Sequence, residues 1–278
     1  MPRGVSRLDE AQLQGRLWTP ALLPSLALWL DASDLSTLTI PSTTLVQQWR
    51  DKSGYNRHYA QGNINVRLTY RQAGFNGRPC MEKIRTSDIM SIGSSGLGRN
   101  VECITCAIVG SHPALSFTSN SSELSITSGT SGARFFMSPN PNATNVYGFA
   151  GKRLDAETVA NFSSSTNALA NRGNPWIRIG QIVYSGAVGY HWTNGTQDMT
   201  ALAGGTSGNT SDTDSSSGSI FSATPNGTKL SEVVLTHSEL NLKEREALEG
   251  YLAWHWWGDV NTLPALHRFN NRPPLIGD

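Results

Sequence analysis

Short apolar runs separated by turn-forming residues recur along most of the chain. Longer runs rich in β-branched and aromatic residues predict four buried strands, at 26–30, 101–109, 176–184 and 229–235. Between residues 110 and 175, shorter apolar stretches at 124–127, 133–137, 146–150 and 157–162 alternate with polar or Pro/Gly turns. This spacing is typical of an all-β sandwich or barrel.

One segment has helical periodicity instead. Asn241 can cap a helix, Glu244 completes a capping box, and Gly258 can end it with positive φ, which predicts a helix near 242–257. Its predicted buried stripe consists of Leu248, Tyr251, Leu252 and His255. Its predicted solvated face carries Glu244, Glu246 and Glu249. The stripe needs a surface to pack on, and a sheet is what the rest of the chain offers.

Composition narrows the class of protein. The chain has 278 residues, a net charge of +1, 15% charged residues, 27 glycines and three cysteines. The near-zero net charge gives no electrostatic case for nucleic-acid partners, and three cysteines do not provide a disulfide framework. Charged residues and prolines interrupt the first 24 residues, and no apolar run reaches the roughly 20 residues that a membrane helix needs. We therefore expect synthesis in a reducing compartment, without membrane insertion.

Four sequence blocks carry a resemblance to a known family. They are LWLDASDLSTL (28–38), VQQWRDKSGYNRH (46–58), WTNGT (192–196) and NGTKLSEVVL (226–235), followed by the helix segment with ExLEGYLAxxW, LPAxHxF and PP. Across roughly 17–274 the chain resembles LamG-like jelly-roll domains of the concanavalin A-like lectin/glucanase superfamily, of the kind found in bacteriophage virion proteins. The resemblance implies an all-β antiparallel β-sandwich with one C-terminal helix near 242–257.

The same patterns divide the chain into two parts. Residues 1–20 mix charged residues with scattered leucines, and we interpret them as an N-terminal arm. Residues 21–278 form a single predicted sandwich domain that ends in an extended, proline-containing tail. Within this domain, the segment 201–219 is low in sequence complexity, which predicts a long loop.

Two sets of residues could be read as metal ligands. Cys80, Cys103, Cys106 and His112 offer a Cys₃His set, but residues three apart on a strand point to opposite faces, which favours buried structural cysteines. Asp31, Asp34 and Asp51 are calcium candidates, although aspartates that follow strands also form Asx-turns. Asp212 and Asp214 have the same ambiguity. We predict no cofactor.

Catalytic patterns are weak in this sequence. The glycanases of the superfamily carry clustered carboxylates on one strand, and the nearest arrangement here is Asp155 with Glu157. G-x-S-x-G, P-loop and G-x-G-x-x-G motifs are absent. The sequence therefore predicts a protein that is not an enzyme, with no catalytic residues.

Tryptophan supplies the remaining candidates. Aromatic faces stack on sugar rings, and the chain has eight tryptophans. Their positions in strand and helix patterns assign Trp29, Trp49, Trp254 and Trp256 to the core. That leaves Trp18, Trp192 and Trp257 as candidate binding residues on the surface.

Two functions remain open at this point. The first is a structural virion protein, an exposed tail, collar or head appendage or decoration module, made in the host cytoplasm and carried on the virion surface. Its partners would be other virion proteins and, by analogy, two further copies in a homotrimer. The alternative is a glycan-binding, lectin-type adhesin or receptor-binding protein that recognises a host surface polysaccharide.

Overall fold

The fold is built from long and short β-strands and one long helix. The computed structural model describes residues 17–93, 95–113, 121–127, 133–139, 146–152, 159–167, 173–184, 188–202, 217–258 and 262–278. In chain order the strands are β1 Leu26–Asp31, β2 Leu38–Thr39, β3 Gln48–Trp49, β4 Tyr59–Ala60, β5 Thr69–Phe75, β6 Arg78–Glu82, β7 Met90–Ile92, β8 Cys103–Ser111, β9 Ser122–Thr127, β10 Ala133–Ser138, β11 Val146–Gly151, β12 Ala160–Asn167, β13 Trp176–Val183, β14 Val188–Thr193, β15 Thr196–Leu202, β16 Ser217–Ser222 and β17 Lys229–Thr236. The helix, α1, is Leu242–Trp257, and short 3₁₀ turns lie at Pro20–Leu22, Leu35–Thr37 and Ile64–Val66.

These strands form two antiparallel sheets. The first has the order β15-β14-β13-β8-β17-β6-β5, and β1 also pairs with β17. The second has the order β12-β11-β10-β9-β16-β7-β4-β3-β2. The predicted all-β antiparallel β-sandwich with one C-terminal helix is therefore confirmed. No helix within the described ranges is long and apolar enough to cross a membrane.

The two sheets approach each other closely at β13. A Cβ atom at Gly180 would lie 2.6 Å from the sulfur of Met137 and 3.1 Å from the Phe149 ring. Phe149 in turn stacks on Phe162, with 4.7 Å between ring centroids. A side chain at this position would displace Met137 or the Phe149 ring, since close-packed interiors leave little room for an added methyl group.

A buried ion pair also joins the sheets. Arg178 on β13 donates from Nη1 to Oε1 of Glu123 on β9 over 2.6 Å, and both side chains are inaccessible to water. The second nitrogen of Arg178 donates to the carbonyl oxygens of Ser138 and Gly148. Burial would raise the pKa of Glu123, but the Arg178 charge and the hydrogen bond from His112 hold it below its usual value. The carboxylate is therefore ionised and paired across the sandwich.

The structure separates the residues of the hypothetical Cys₃His site. His112 bonds Glu123 through Nε2 over 2.8 Å. Cys80, Cys103 and Cys106 are buried free thiols. Burial raises the pKa of both Cys80 and Cys103 to about 12, which keeps these sulfurs protonated. Within the described ranges no group of three His, Cys, Asp or Glu side chains could hold a metal ion.

Helix α1 has the predicted ends but a different exposed face. Asn241 and Glu244 form the capping box, and Gly258 ends the helix with φ of 72°. Leu248 and Leu252 are buried, as expected, whereas Tyr251 and His255 are only half-buried.

Glu249 was predicted to lie in solvent, and that prediction is wrong. Its side chain is fully buried, and Oε2 accepts hydrogen bonds from Arg245 over 2.7 Å and His267 over 3.0 Å. The reason is the C-terminal tail, which folds back over this face of the helix. A Cβ atom at Gly250 would lie 2.6 Å from Cβ of Phe269 in that tail. The helical periodicity of the sequence identifies the apolar face of the helix. It does not show that a second segment, the C-terminal tail, covers another face.

We expect Glu249→Ala to lower the free energy of unfolding by about 3 kcal/mol, because it leaves Arg245 unpaired where little water reaches. The control, Glu246→Ala on the same helix, should change it by about 0.5 kcal/mol or less. Urea unfolding curves measure both. Equal, small effects would show that the carboxyl group of Glu249 is solvated and that the tail does not cover it.

Candidate functional site

A cleft of about 600 Å³ opens beside the C-terminal half of α1. It lies where strand β1, the helix, the start of β6 and both terminal segments meet. The side chains that line it combine aromatic rings with charges. They are Leu17, Trp18, Thr19, Trp29, Asp31, Lys52, Arg78, Tyr251, Trp254, His255, Pro273 and Pro274.

The terminal segments form one wall of this cleft. Trp18 donates its backbone N–H to the carbonyl of Pro274 over 3.0 Å, and Leu17 pairs with Leu275 as an antiparallel bridge. Pro20 is buried, and Trp18 packs against the hydrophobic core. Residues 17–20 are therefore packed into the sandwich. They do not belong to the N-terminal arm that the sequence suggests for residues 1–20. Residues 1–16 lie outside the described residues.

Aromatic rings from different elements line this wall and the floor of the cleft. Trp18 meets Tyr251 of α1 edge-on, with 6.1 Å between centroids. Tyr251 stacks on His255 one turn along the helix, at 5.3 Å. Trp29 of β1 lies deeper, at 8% exposure, and Trp254 is half-buried. Rings held by packing in this way keep a fixed orientation, which suits them to stacking on a flat ligand face.

A compact group of charges lies beside the Trp29 ring. Lys52 Nζ is 2.9 Å from Asp31, 3.0 Å from Asp34 and 4.2 Å from the centroid of Trp29. Asp31 also accepts from the backbone and hydroxyl of Ser33. Burial would raise the pKa of Asp31, but His255 and Lys52 hold it far below its usual value. Asp31 is therefore an ionised, fully hydrogen-bonded carboxylate.

His255 links this group to the helix. Its Nε2 lies 3.0 Å from the hydroxyl oxygen of Ser33 and 3.8 Å from Asp31 Oδ1. Burial lowers the pKa of His255, but Asp31 and Glu232 outweigh it, and the net shift is upward. Protonation of His255 is thus favoured by the carboxylates around it.

Beneath the cleft lies the carboxyl group of Glu232 on β17. It is fully buried and accepts hydrogen bonds from two indole nitrogens, Trp29 Nε1 over 2.7 Å and Trp256 Nε1 over 2.5 Å. Burial and the nearby charge of Asp31 raise the pKa of Glu232 to about 7, although both indole hydrogen bonds favour the ionised form. Asp31 and Glu232 are direct neighbours across β1 and β17.

The three calcium candidates do not converge on one point. Asp31 and Asp34 share Lys52, whose positive charge occupies the place between them. Asp51 accepts from the backbone nitrogens of Trp29, Ser53 and Arg57 and from the Ser53 hydroxyl, as an Asx-turn residue does. Asp155, Glu157, Asp212 and Asp214 lie outside the described residues.

Of the three candidate binding tryptophans, only Trp18 lines the cleft. Trp192 is buried, with 7% exposure, because Tyr190 stacks on it and Arg245 lies over its ring. Trp257 packs on Phe75, outside the cleft. The helical residues Tyr251, Trp254 and His255 and the strand residue Trp29 were not predicted as binding residues. The spacing i, i+3, i+4 of the first three could have indicated a shared aromatic face.

Comparisons with known proteins identify the fold but not a family. No family model matches the sequence, and no curated protein matches it. Among solved structures it is similar to the binding domain of Paraclostridial Mosquitocidal Protein 1, with TM-score 0.58, 10% identity, and coverage of 81% of this chain and 52% of that one. It is also similar to the binding domain of botulinum neurotoxin DC in complex with rat synaptotagmin II, with TM-score 0.56, 14% identity and coverage of 82% and 52%.

A third match is a structure from work on botulinum neurotoxin type C, whose cell entry is described as dependent on interaction with two ganglioside molecules. Its TM-score is 0.54, with 13% identity and coverage of 87% of this chain and 53% of that one. The chain spans about half the length of the structures it matches. At these identities the similarity shows a shared β-sandwich fold. It does not bear on the LamG-like or bacteriophage resemblance.

The buried carboxyl group of Glu232 predicts a pH-dependent stability. Because the folded-state pKa, about 7, exceeds the ordinary value of 4.5, folding favours the protonated form. The stabilisation that the protonated Glu232 contributes is fully present below about pH 4.5 and is lost as the pH rises through about 7. We expect the free energy of unfolding to fall between pH 5 and pH 8 by roughly 1–3 kcal/mol more in the wild type than in Glu232→Gln, which cannot ionise.

Urea unfolding across this pH range measures the difference between the two proteins. The stabilisation from protonated His255 is also lost as the pH rises, and Glu232 contributes to the raised pKa of His255. The comparison therefore reports the ionisation of Glu232 together with its effect on His255. Glu246→Gln serves as the control and should keep the wild-type profile. Parallel profiles for the wild type and Glu232→Gln would contradict the raised pKa.

Proposed function

We propose that this protein is a glycan-binding β-sandwich module that binds its ligand in the cleft beside α1. The supporting observation is the meeting of Trp18, Tyr251 and Trp254 with the charged groups of Asp31, Lys52 and Arg78 in one cavity. Sugars present flat C–H faces that stack on aromatic rings, and hydroxyl groups that need fixed polar partners.

The comparisons agree with binding as the general role. The structures to which the chain is similar include two that are binding domains, and a third comes from work on a toxin whose cell entry depends on gangliosides. This chain covers only about half of each, so their ligands are not transferred to it. The similarity supports a lectin-like adhesin or receptor-binding role better than a purely structural one.

We also propose that binding is not followed by hydrolysis. A glycosidase needs two carboxyl groups that reach opposite sides of the glycosidic bond. Of the two carboxyl groups at this cleft, Asp31 already accepts hydrogen bonds on both oxygens, and Glu232 is fully buried behind Trp29. Release of reducing ends from a bound polysaccharide would contradict this proposal.

An array of bacterial surface polysaccharides, probed with the purified protein, tests the binding function. We expect at least one to bind and to change the tryptophan fluorescence, since three tryptophans line the cleft. Trp254→Ala should weaken that binding by roughly tenfold, because a lost aromatic contact costs about 1 kcal/mol or more.

The matched control is Trp257→Ala, the same change on the same helix but outside the cleft. It should leave affinity unchanged, with melting temperatures recorded for both variants. Binding that survives Trp254→Ala would place the glycan elsewhere on the protein. If no polysaccharide binds, the glycan proposal fails and a structural role remains.

A second proposal is that the module is carried on a bacteriophage virion, as a tail, collar or head appendage on the virion surface. It is supported by the resemblance of the four sequence blocks and the helix segment to phage-encoded LamG-like proteins. This role is compatible with glycan binding, since a virion appendage can recognise a host polysaccharide. Its partners would be other virion proteins, with a homotrimer as the expected assembly by analogy.

Deletion of residues 1–16 tests this second proposal. The truncated chain retains all the described residues that line the cleft, so we expect its melting temperature and any polysaccharide binding to be unchanged. We expect it to fail to enter particles when it replaces the full chain during phage assembly. Normal incorporation would contradict attachment through this segment and would direct attention to the tail after Leu263.

A further inference from the structure

Arg78 is a cation in the cleft that has no partner among the described residues. It begins β6, its side chain is exposed, and it lines the cleft. Among the described residues, no carboxylate forms an ion pair with its guanidinium and no side-chain hydrogen bond engages it. Its five N–H donors are therefore available to a ligand.

The other charged groups of the cleft are already engaged. Lys52 is held by two carboxylates, those of Asp31 and Asp34. Asp31 has a donor on each of its oxygens, from Ser33 and Lys52. A ligand anion at Lys52 would approach two carboxylates that already neutralise its charge, whereas Arg78 can bind an anion without breaking an existing contact.

Arg78 lies next to the C-terminal end of helix α1. A Cβ atom at Gly258, the residue that ends α1, would lie 3.4 Å from a guanidinium nitrogen of Arg78. The charge of Arg78 also acts on His255, one turn earlier, where it opposes protonation. The guanidinium thus lies at the C-terminal end of the helix that contributes Tyr251 and Trp254 to the cleft.

We propose that the cleft recognises a carboxylate-bearing sugar, such as a uronic acid residue, through Arg78. This inference rests on the proposed glycan binding and adds the charge class of the ligand. The sugar ring stacks on the aromatic wall, and its carboxylate pairs with the planar guanidinium. Arginine suits this role because its fork matches the two oxygens of a carboxylate in a bidentate contact.

Arg78 is the one available cation among the described residues that line the cleft, which argues for a ligand with one negative charge. A phosphate monoester carries nearly two charges at neutral pH, and the aspartates that hold Lys52 would repel the excess. A sulfate ester also has one charge and can offer two oxygens to the guanidinium group. The experiment therefore has to separate sulfate from the carboxylate that we assign.

The test uses acidic bacterial polysaccharides in matched pairs, each native and with its carboxyl groups chemically reduced to neutral hydroxymethyl groups. Heparin and desulfated heparin, which keeps its carboxylates, are added to the same array. We expect a native acidic polysaccharide to bind at least tenfold more tightly than its reduced partner. Arg78→Gln should weaken binding to the native form by about tenfold or more and leave the reduced form unaffected.

Two variants control for charge and geometry. Arg71→Gln removes the same charge from β5, where Arg71 pairs with Glu82 outside the cleft, and should leave affinity unchanged. Arg78→Lys keeps the charge but loses the fork, and affinity should fall between the wild type and Arg78→Gln. If Arg71→Gln and Arg78→Gln lose affinity equally, the effect comes from the net charge of the protein. That result would overturn the assignment of the carboxylate to Arg78.

The outcomes separate this inference from the function on which it rests. If only neutral polysaccharides bind, or if carboxyl reduction has no effect, glycan binding stands and the carboxylate assignment is wrong. Binding that survives carboxyl reduction but not desulfation would assign the anion to sulfate, again against this inference. If no polysaccharide of either kind binds, the proposed function itself has failed.

Discussion

One buried carboxyl group, that of Glu232, connects the elements that build the cleft. It accepts an indole hydrogen bond from Trp29 on β1 and another from Trp256 on α1, while Glu232 itself belongs to β17. A buried carboxyl group without partners would strongly destabilise the fold, so both tryptophans must stay where their N–H groups reach it. The bond from Trp256 joins the helix to the sheet, and the bond from Trp29 holds that ring within the sheet beneath the cleft.

A second buried carboxylate, that of Glu249, connects the first half of the helix to the C-terminal tail. Glu249 pairs with Arg245 within the helix and with His267 in the tail. This contact holds the tail on the helix, and the tail continues to Pro274, whose carbonyl accepts the backbone N–H of Trp18. The two terminal segments thus close one wall of the cleft together. Neither segment could place Trp18 without the other.

The remainder of the sandwich supplies the rigidity that a binding site needs. The Arg178–Glu123 pair spans the two sheets with both charges buried, and Gly180 lets the sheets approach closely beside it. Breaking such a pair is costly because either partner alone would be a buried, uncompensated charge. A site built on sheets joined in this way keeps its aromatic rings and charges in place, which favours recognition without rearrangement.

The sequence by itself determined the longer strands, the single helix and both helix ends, because period-2 and period-3.6 patterns and capping residues act locally. It did not predict β4, β7 or β16, and β16 begins within the segment 201–219 that the sequence predicts to be a loop. It also indicated the β-sandwich and Trp18 as a binding candidate. Only the tertiary structure decided which side chains distant segments bury and which residues line the cleft. Glu249 is buried because a tail some twenty residues later covers it, and Trp192 is buried by Arg245 from the helix. The cleft unites residues from positions 17 to 274, and no local pattern encodes which distant segments meet there.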